Sequence, residues 1–147
     1  MIEIRKSSIP NAGLGVWSTD FIPKDTLITE YYGEHLMLDD FILFKAKSSK
    51  RFSDEQLSRL HSRLPYIRKY EGVHVFGDPE SRDISRCGQL INDYLTILDF
   101  QNDSDKISIQ EHQAYENESI AKSSVYTSLI EGKLLCYAKN NIVAGQE

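Results

Sequence analysis

Apolar and polar positions alternate with a period of two in the first part of the chain. Residues 2–6 alternate in this way, and residues 26–32 are rich in β-branched and aromatic side chains. Both patterns are typical of half-buried strands. Turn-forming residues at 10–13 and 23–25 separate these segments, and residues 15–18 between them return to a strand-like composition. The first third of the chain therefore predicts short strands joined by turns.

The pattern becomes helical between about residues 35 and 86. Asp39 can cap a short helix over the apolar residues that follow it, and residues 53–56 have the form of a capping box. Leucines follow this box at helical spacing until Pro65, which ends the helix. Residues 73–76 predict one strand near the end of this region. The region is therefore expected to be a helical insert in a chain that otherwise forms strands.

The second half combines a polar stretch with a hairpin. Residues 98–119 are polar throughout and predict an excursion on the surface. Residues 125–130 and 134–138 flank Gly132 and predict a hairpin. No repeat or linker divides the sequence, so a single domain over residues 1–147 is expected. Many short strands, with helices confined to one insert, predict an α+β, mainly β, fold class.

Composition excludes several classes of function. A net charge of −5 and an isoelectric point near 5.4 argue against a nucleic-acid partner and favour a basic peptide. No apolar stretch approaches the roughly 20 residues that cross a bilayer, and no signal-peptide pattern is visible, so an intracellular location away from membranes is expected. Cys87 and Cys136 are far apart in sequence and share no ligand spacing with the histidines, so both are expected to be buried apolar residues, with no metal site.

Three separated segments carry a more specific signal. They are G-L-G-V-W at 13–17, followed by Y-Y-G-E at 31–34; G-Q-L-I-N-D at 88–93; and A-K-N-N-I-V-A-G-Q-E at 138–147. In order and spacing they resemble the motifs of the SET domain family, the fold of the protein-lysine methyltransferases. The corresponding family motifs are a GxG followed by an aromatic residue, Y-x-G-E, R-F-I-N-H-S and A-x-x-x-I-x-x-G-E-E. The resemblance implies small β-sheets and a C-terminal segment that threads under a loop like a pseudoknot.

The resemblance also implies S-adenosylmethionine in one cleft, with a lysine side chain entering from the opposite face. Gly13, Leu14, Gly15 and Trp17 are then expected at the cofactor. The two glycines suit this role because a residue without a side chain lets backbone groups approach a ligand closely. The alternatives are a plain turn for the glycines and packing under the turn for Trp17.

Two further cofactor residues are expected at the end of the second segment. Asn92 matches the family asparagine that holds the methionine end of the cofactor, since an amide can donate to a carboxylate and accept from an ammonium. Asp93 stands where the family has histidine, and it adds a negative charge beside the cofactor. A loop or cap asparagine is the alternative for Asn92.

Two tyrosines are candidates for the lysine channel, which lowers the lysine pKa by desolvation and so favours the reactive neutral amine. Tyr31 matches the tyrosine of the Y-x-G motif, and Tyr126 corresponds to a second channel tyrosine of the family. Core packing is the alternative for both. The family carries a further tyrosine after G-E-E, and the sequence up to Glu147 has no counterpart. Either the sequence is a shortened copy of a longer chain, or the domain lacks this residue.

Two functions from different classes follow. The first is S-adenosylmethionine-dependent methyl transfer to lysine side chains of a protein substrate, with a basic, histone-like protein as one candidate. The second is a SET-like protein-interaction module that keeps the fold and has lost the chemistry, which Asp93 and the missing terminal tyrosine favour.

Overall fold

The computed structural model describes residues 1–91 and 123–147, which form three small antiparallel sheets and two short α-helices. The predicted α+β, mainly β, class is confirmed. The polar excursion expected at 98–119 lies outside the described residues, and the single-domain organisation stays a prediction. None of the helices in the described part of the chain is long and apolar enough to span a membrane.

The first sheet is a hairpin of strands β1 (Ile2–Lys6) and β2 (Leu14–Ser18). Alternation predicted β1, and the strand-like composition of residues 15–18 predicted β2. Ile2 pairs with Ser18, and the register continues so that Val16 lies on the same face as Ile2. These two apolar side chains are buried, whereas Glu3, the residue after Ile2, is exposed on the other face.

The second sheet contains β3 (Leu27–Glu30), β7 (Val125–Ile130) and β8 (Lys133–Ala138) in the order β3-β8-β7. The predicted hairpin of β7 and β8 is confirmed, and Gly132 adopts a φ of +76° at its turn. A left-handed backbone of this kind is costly for residues with a side chain, so glycine suits the position.

The third sheet contains β4 (Gly33–Met37), β5 (Ile67–Tyr70) and β6 (Val73–Gly77) in the order β4-β6-β5. Gly33 lets the chain pass from the second sheet into this one. A Cβ atom there would lie 1.9 Å from the carbonyl oxygen of Phe76, so β4 can approach β6 this closely only with glycine.

Two helices cover one face of the third sheet. Helix α1 (Leu38–Lys45) follows β4 directly, and its N-cap is Met37, so the predicted cap at Asp39 is wrong: Asp39 lies inside the first turn. Helix α2 (Asp54–Ser62) has Ser53 as its N-cap. The predicted capping box is present, because Ser53 Oγ accepts from Gln56 N at 3.1 Å and the Gln56 side chain accepts from Ser53 N at 2.9 Å. A single 3-10 turn containing Pro65 follows α2, as expected of a residue that cannot continue a helix.

The C-terminal segment returns to the N-terminal part of the fold. Ile22 and Ile142 exchange two backbone hydrogen bonds, of 2.8 and 2.9 Å. Ser18 N donates to Gln146 O at 2.8 Å, and Gly145 N donates to Ser18 O at 2.8 Å. This pairing holds the last residues of the chain along the edge of β2.

Three apolar clusters make up the core of the described residues. One lies between the β1–β2 hairpin and the C-terminal segment, one between the third sheet and the helices, and one between the second and third sheets. Cys87 and Cys136 are both free thiols in this core, as expected. Burial raises the pKa of both, and that of Cys136 reaches about 12.

Candidate functional site

The glycine motif forms the turn between β1 and β2. Gly13 has a φ of +75°, and its carbonyl accepts a hydrogen bond from Ser7 N at 2.9 Å. A Cβ atom added to Gly13 would meet nothing within 4 Å. The left-handed backbone, not crowding by the protein, therefore favours glycine here, and the space beside it can admit a ligand.

The other motif residues lie along β2. Gly15 is buried and pairs with Arg5, whereas Trp17 is half-buried and pairs with Glu3. The Arg5 guanidinium lies 4.0 Å from the centre of the Trp17 ring, a cation–π contact that packs the ring on the hairpin. Trp17 Nε1 is buried and has no hydrogen-bond partner among the described residues. A buried donor without a partner is unusual in a folded protein.

The side-chain carboxylate of Glu147 binds the segment that precedes the turn between β1 and β2. Glu147 accepts hydrogen bonds from Ser7 Oγ, from Ser8 N at 2.8 Å and from Ser8 Oγ at 2.6 Å. Sequence patterns could not identify this contact, because the partners are separated by about 140 residues and no local pattern joins them. Glu147 thereby fixes the C-terminal segment against the glycine turn.

A cavity of about 520 Å³ lies between the hairpin and the C-terminal segment. Aliphatic side chains such as Ile2, Val16 and Ile142 line it, and Ser18 and Gln146 contribute polar groups. Its volume is within the range of small-molecule sites. Among the described residues, Val16 and Ser18 on β2 line this cavity. The predicted cofactor residues of the same segment, Gly13, Leu14, Gly15 and Trp17, do not line it.

Tyr31 lies at the junction of the second and third sheets. Its side chain is buried in the cluster that contains Val75, Leu134 and Cys136. Its hydroxyl donates to the carbonyl oxygen of Tyr66 at 2.6 Å, and the guanidinium of Arg68 lies 6.0 Å from the centre of its ring. The insert therefore holds the hydroxyl of Tyr31 in one position.

The segment that leads to Asn92 packs tightly on Tyr31. A Cβ atom at Gly88 would lie 2.7 Å from Sγ of Cys136 and 2.9 Å from the Tyr31 backbone nitrogen. The buried Gln89 side chain accepts from Tyr32 N at 3.1 Å and donates to Asp78 O at 2.7 Å. These contacts fix the chain up to Ile91. Asn92 and Asp93 lie outside the described residues, so their cofactor roles stay predictions.

Tyr126 lies on the outer face of the second sheet. Its ring stacks on that of Tyr137 with centroids 5.5 Å apart, and its hydroxyl donates to Asp25 Oδ1 at 3.2 Å. Desolvation and the neighbouring carboxylate of Asp25 raise the pKa of Tyr126. Tyr126 pairs with Tyr137 on β8, so both side chains lie on the same face of the second sheet. Tyr31 packs on Leu134 and Cys136, whose side chains alternate with that of Tyr137 along β8. The two predicted channel tyrosines therefore lie on opposite faces of the sheet.

Charged groups lie near the Tyr31 junction. Arg86 stacks over the ring of Tyr32 at 5.0 Å and reaches Glu30 at 3.9 Å.

Among the described residues, no group of three or more His, Cys, Asp or Glu side chains is arranged to hold a metal ion.

No protein-family model matches this chain, and no curated protein sequence matches it. Solved structures match it in fold. A structure of ctPRC2 in complex with H3K27me3 and H3K27M has a TM-score of 0.54 and 15% identity, and the match covers 100% of this chain and 14% of that chain. A structure of ctPRC2 in an autoinhibited conformation bound to S-adenosylmethionine has a TM-score of 0.52 and 15% identity, covering 99% and 14%. CpSET8 from Cryptosporidium has a TM-score of 0.55 and 18% identity, covering 99% and 54%.

These neighbours are SET-domain proteins, and the predicted SET-like fold is thereby confirmed. The chain spans about half of the CpSET8 chain and about a seventh of the ctPRC2 chains. At this level of identity the likeness concerns the fold and not the residues of the site.

Proposed function

We propose that this chain, which has the SET-domain fold, is an S-adenosylmethionine-dependent methyltransferase that acts on lysine side chains of a basic protein. The observation that carries the proposal is the fold shared with SET-domain structures, one of which is bound to S-adenosylmethionine and one of which is in complex with histone species. The net charge of −5 supports a basic substrate, because an acidic surface attracts a basic peptide.

Two features of the described residues support the proposed cofactor. The turn at Gly13 has space beside its backbone, and the buried Trp17 Nε1 donor lies on the adjoining strand. Gly13, Leu14, Gly15 and Trp17 would hold the cofactor together with Asn92. S-adenosylmethionine supplies an activated methyl group on a sulfonium when bound.

The proposed role of Tyr31 is to orient the lysine amine. Its buried position among apolar side chains excludes water and disfavours the charged ammonium, which raises the fraction of reactive neutral amine. A hydroxyl that donates its hydrogen to a carbonyl, as Tyr31 does to Tyr66, can still accept a hydrogen bond through its oxygen. Tyr31 would thus align the amine for in-line transfer.

The test is methyl transfer from isotopically labelled S-adenosylmethionine to a panel of basic peptides that includes histone tails. The wild-type chain is expected to label at least one lysine. Tyr31→Phe is expected to lower kcat/KM about tenfold, the equivalent of one hydrogen bond. Tyr70→Phe, at a half-buried tyrosine of the third sheet, serves as the matched control and should leave the rate unchanged. A well-folded protein that labels no peptide would contradict the proposal.

One observation favours the interaction module as a second candidate. Tyr31 and Tyr126 lie on opposite faces of the second sheet, so they do not converge on one channel. The module predicts that the chain binds a basic peptide with equal affinity in the presence and absence of S-adenosylmethionine, and that Tyr31→Phe keeps this affinity. Peptide binding that requires the cofactor would count against it.

A further inference from the structure

A histidine is buried in the middle of the third sheet. His74 lies on the central strand β6, and it is only 7% exposed. It pairs with Leu36 on β4 and with Lys69 on β5. Its side chain therefore points to the same face as Phe76, the face that the two helices cover.

The His74 ring is stacked on a ring from helix α1. The centroids of His74 and Phe41 are 3.8 Å apart, and the two planes are inclined by 4°. Phe41 makes looser ring contacts with Phe44 and Phe76, at 6.2 and 6.1 Å. Much of the remaining apolar surface of α1 faces solvent, including Ile42. Phe44, the buried residue of α1, also packs on Phe76 with ring centroids 5.1 Å apart, so the stack and Phe44 together hold α1 on the sheet.

Within the described part of the chain, no acidic side chain forms an ion pair with His74. His74 Nδ1 is buried without a hydrogen-bond partner among the described residues. Leu36 faces it from β4, and the ammonium of Lys69 faces it from β5. On α1, Asp40 is engaged by Arg51 at 2.8 Å, and neither it nor Asp39 forms an ion pair with His74. Burial, and next the charge of Lys69, lower the pKa of His74.

We propose that the stack of His74 on Phe41 is an acid-sensitive joint, which holds helix α1 on the third sheet at neutral pH and releases it when the ring is protonated. A protonated ring would carry an N–H at the buried Nδ1, which has no acceptor among the described residues, and it would add a positive charge beside Lys69; an unpaired buried donor of this kind is unfavourable. Moving α1 away lets water reach Nδ1 and removes that cost.

The sign of the pH dependence follows from the direction of the shift. A histidine whose pKa is lowered by folding contributes stability that is present above its unfolded value of about 6.5 and is lost as the pH falls below it. For each unit by which the folded-state pKa of His74 lies below about 6.5, full protonation increases the equilibrium constant for opening of α1 up to tenfold.

Release of helix α1 is also expected to affect the junction at Tyr31. Val75, the next residue on β6, points to the opposite face and packs in the cluster with Tyr31. Release of α1 is therefore expected to increase the mobility of the sheet that supports Tyr31, but the proposal does not depend on any activity of that residue.

The test is hydrogen exchange of peptides from α1 at about pH 7.5 and about pH 5, corrected for the intrinsic pH dependence of exchange. In the wild-type chain the protection of α1 is expected to fall at the lower pH. His74→Phe keeps an aromatic ring for the stack and is expected to remove this fall. His35→Phe replaces an exposed histidine of the adjoining strand, and it should behave as wild type.

A measurement on the wild-type protein covers the case in which the variant does not fold. The ring resonances of His74 are expected to titrate below the ordinary histidine value, with α1 amides shifting in the same pH range. An ordinary midpoint, α1 protection that does not change with pH, or a fall that persists in His74→Phe would overturn the proposal.

Discussion

At Gly88 a single missing side chain determines how the segment leading to Asn92 packs on Tyr31. Sequence patterns marked this glycine only as the start of a motif. A Cβ atom at this position would lie 2.7 Å from Cys136 Sγ and 2.9 Å from Tyr31 N, which identifies close packing as the role of the glycine. The reason was not predictable, because it depends on two residues that are remote in sequence.

Gly88→Ala is expected to destabilise the protein by about 1–3 kcal/mol, as overpacking of a tight site does. Thermal or urea denaturation measures this change. Gly72→Ala is the control, since Gly72 has a left-handed φ of +79° and an added Cβ there meets nothing within 4 Å. Its cost of about 1 kcal/mol comes from the backbone alone. A Gly88→Ala protein as stable as wild type would contradict the packing described here.

The two cysteines were predicted to be buried apolar residues, and their environments have a chemical consequence. With a pKa of about 12, Cys136 carries about one part in ten thousand of thiolate near pH 8. Cys87 is shifted in the same direction by burial. Both thiols are therefore expected to react far more slowly with a thiol reagent in the native protein than in the denatured protein. Equal rates in the two states would show that the core is open.

At the scale of elements, some local signals were predicted correctly and others were not: Asp39 was expected to cap α1, but the N-cap is Met37. The capping box at Ser53 and the stop at Pro65 involve neighbours in sequence, and both are present. Strand β5 was missed, because its four residues, I-R-K-Y, show no alternation. The strand-like pattern was expected only over residues 26–32, whereas a further strand, β4, begins at Gly33, where glycine permits the close approach to Phe76.

The capping box gives a prediction for helix α2. Ser53→Ala removes the acceptor for Gln56 N and is expected to cost about 1 kcal/mol of stability. Ser58→Ala, at an exposed position inside the same helix, is the matched control and should be neutral or slightly stabilising, because alanine is the better helix former. Urea denaturation of the two variants compares them directly. Equal losses in both would mean that the box does not stabilise the helix.

At the scale of the whole molecule, three short motifs were sufficient to predict the SET-like fold, although sequence identity to its structural neighbours is only 15–18%. The motifs mark positions where few residue types are compatible with the structure. Gly13 needs a left-handed backbone, and Tyr31 is buried in a core cluster. The site could be predicted only in part. The contact of Glu147 with Ser7, and the position of Tyr126 on the outer face, depend on how distant segments pair, which periodicity does not specify.

The central claim is that this fold carries a working cofactor site, and calorimetric titration of the chain with S-adenosylmethionine tests it most directly. We expect one-to-one binding at micromolar affinity. Asn92→Ala should weaken it about tenfold, or roughly 1.4 kcal/mol, whereas Asn140→Ala, at an exposed asparagine, should leave it unchanged. A well-folded chain that binds neither S-adenosylmethionine nor S-adenosylhomocysteine would contradict the claim.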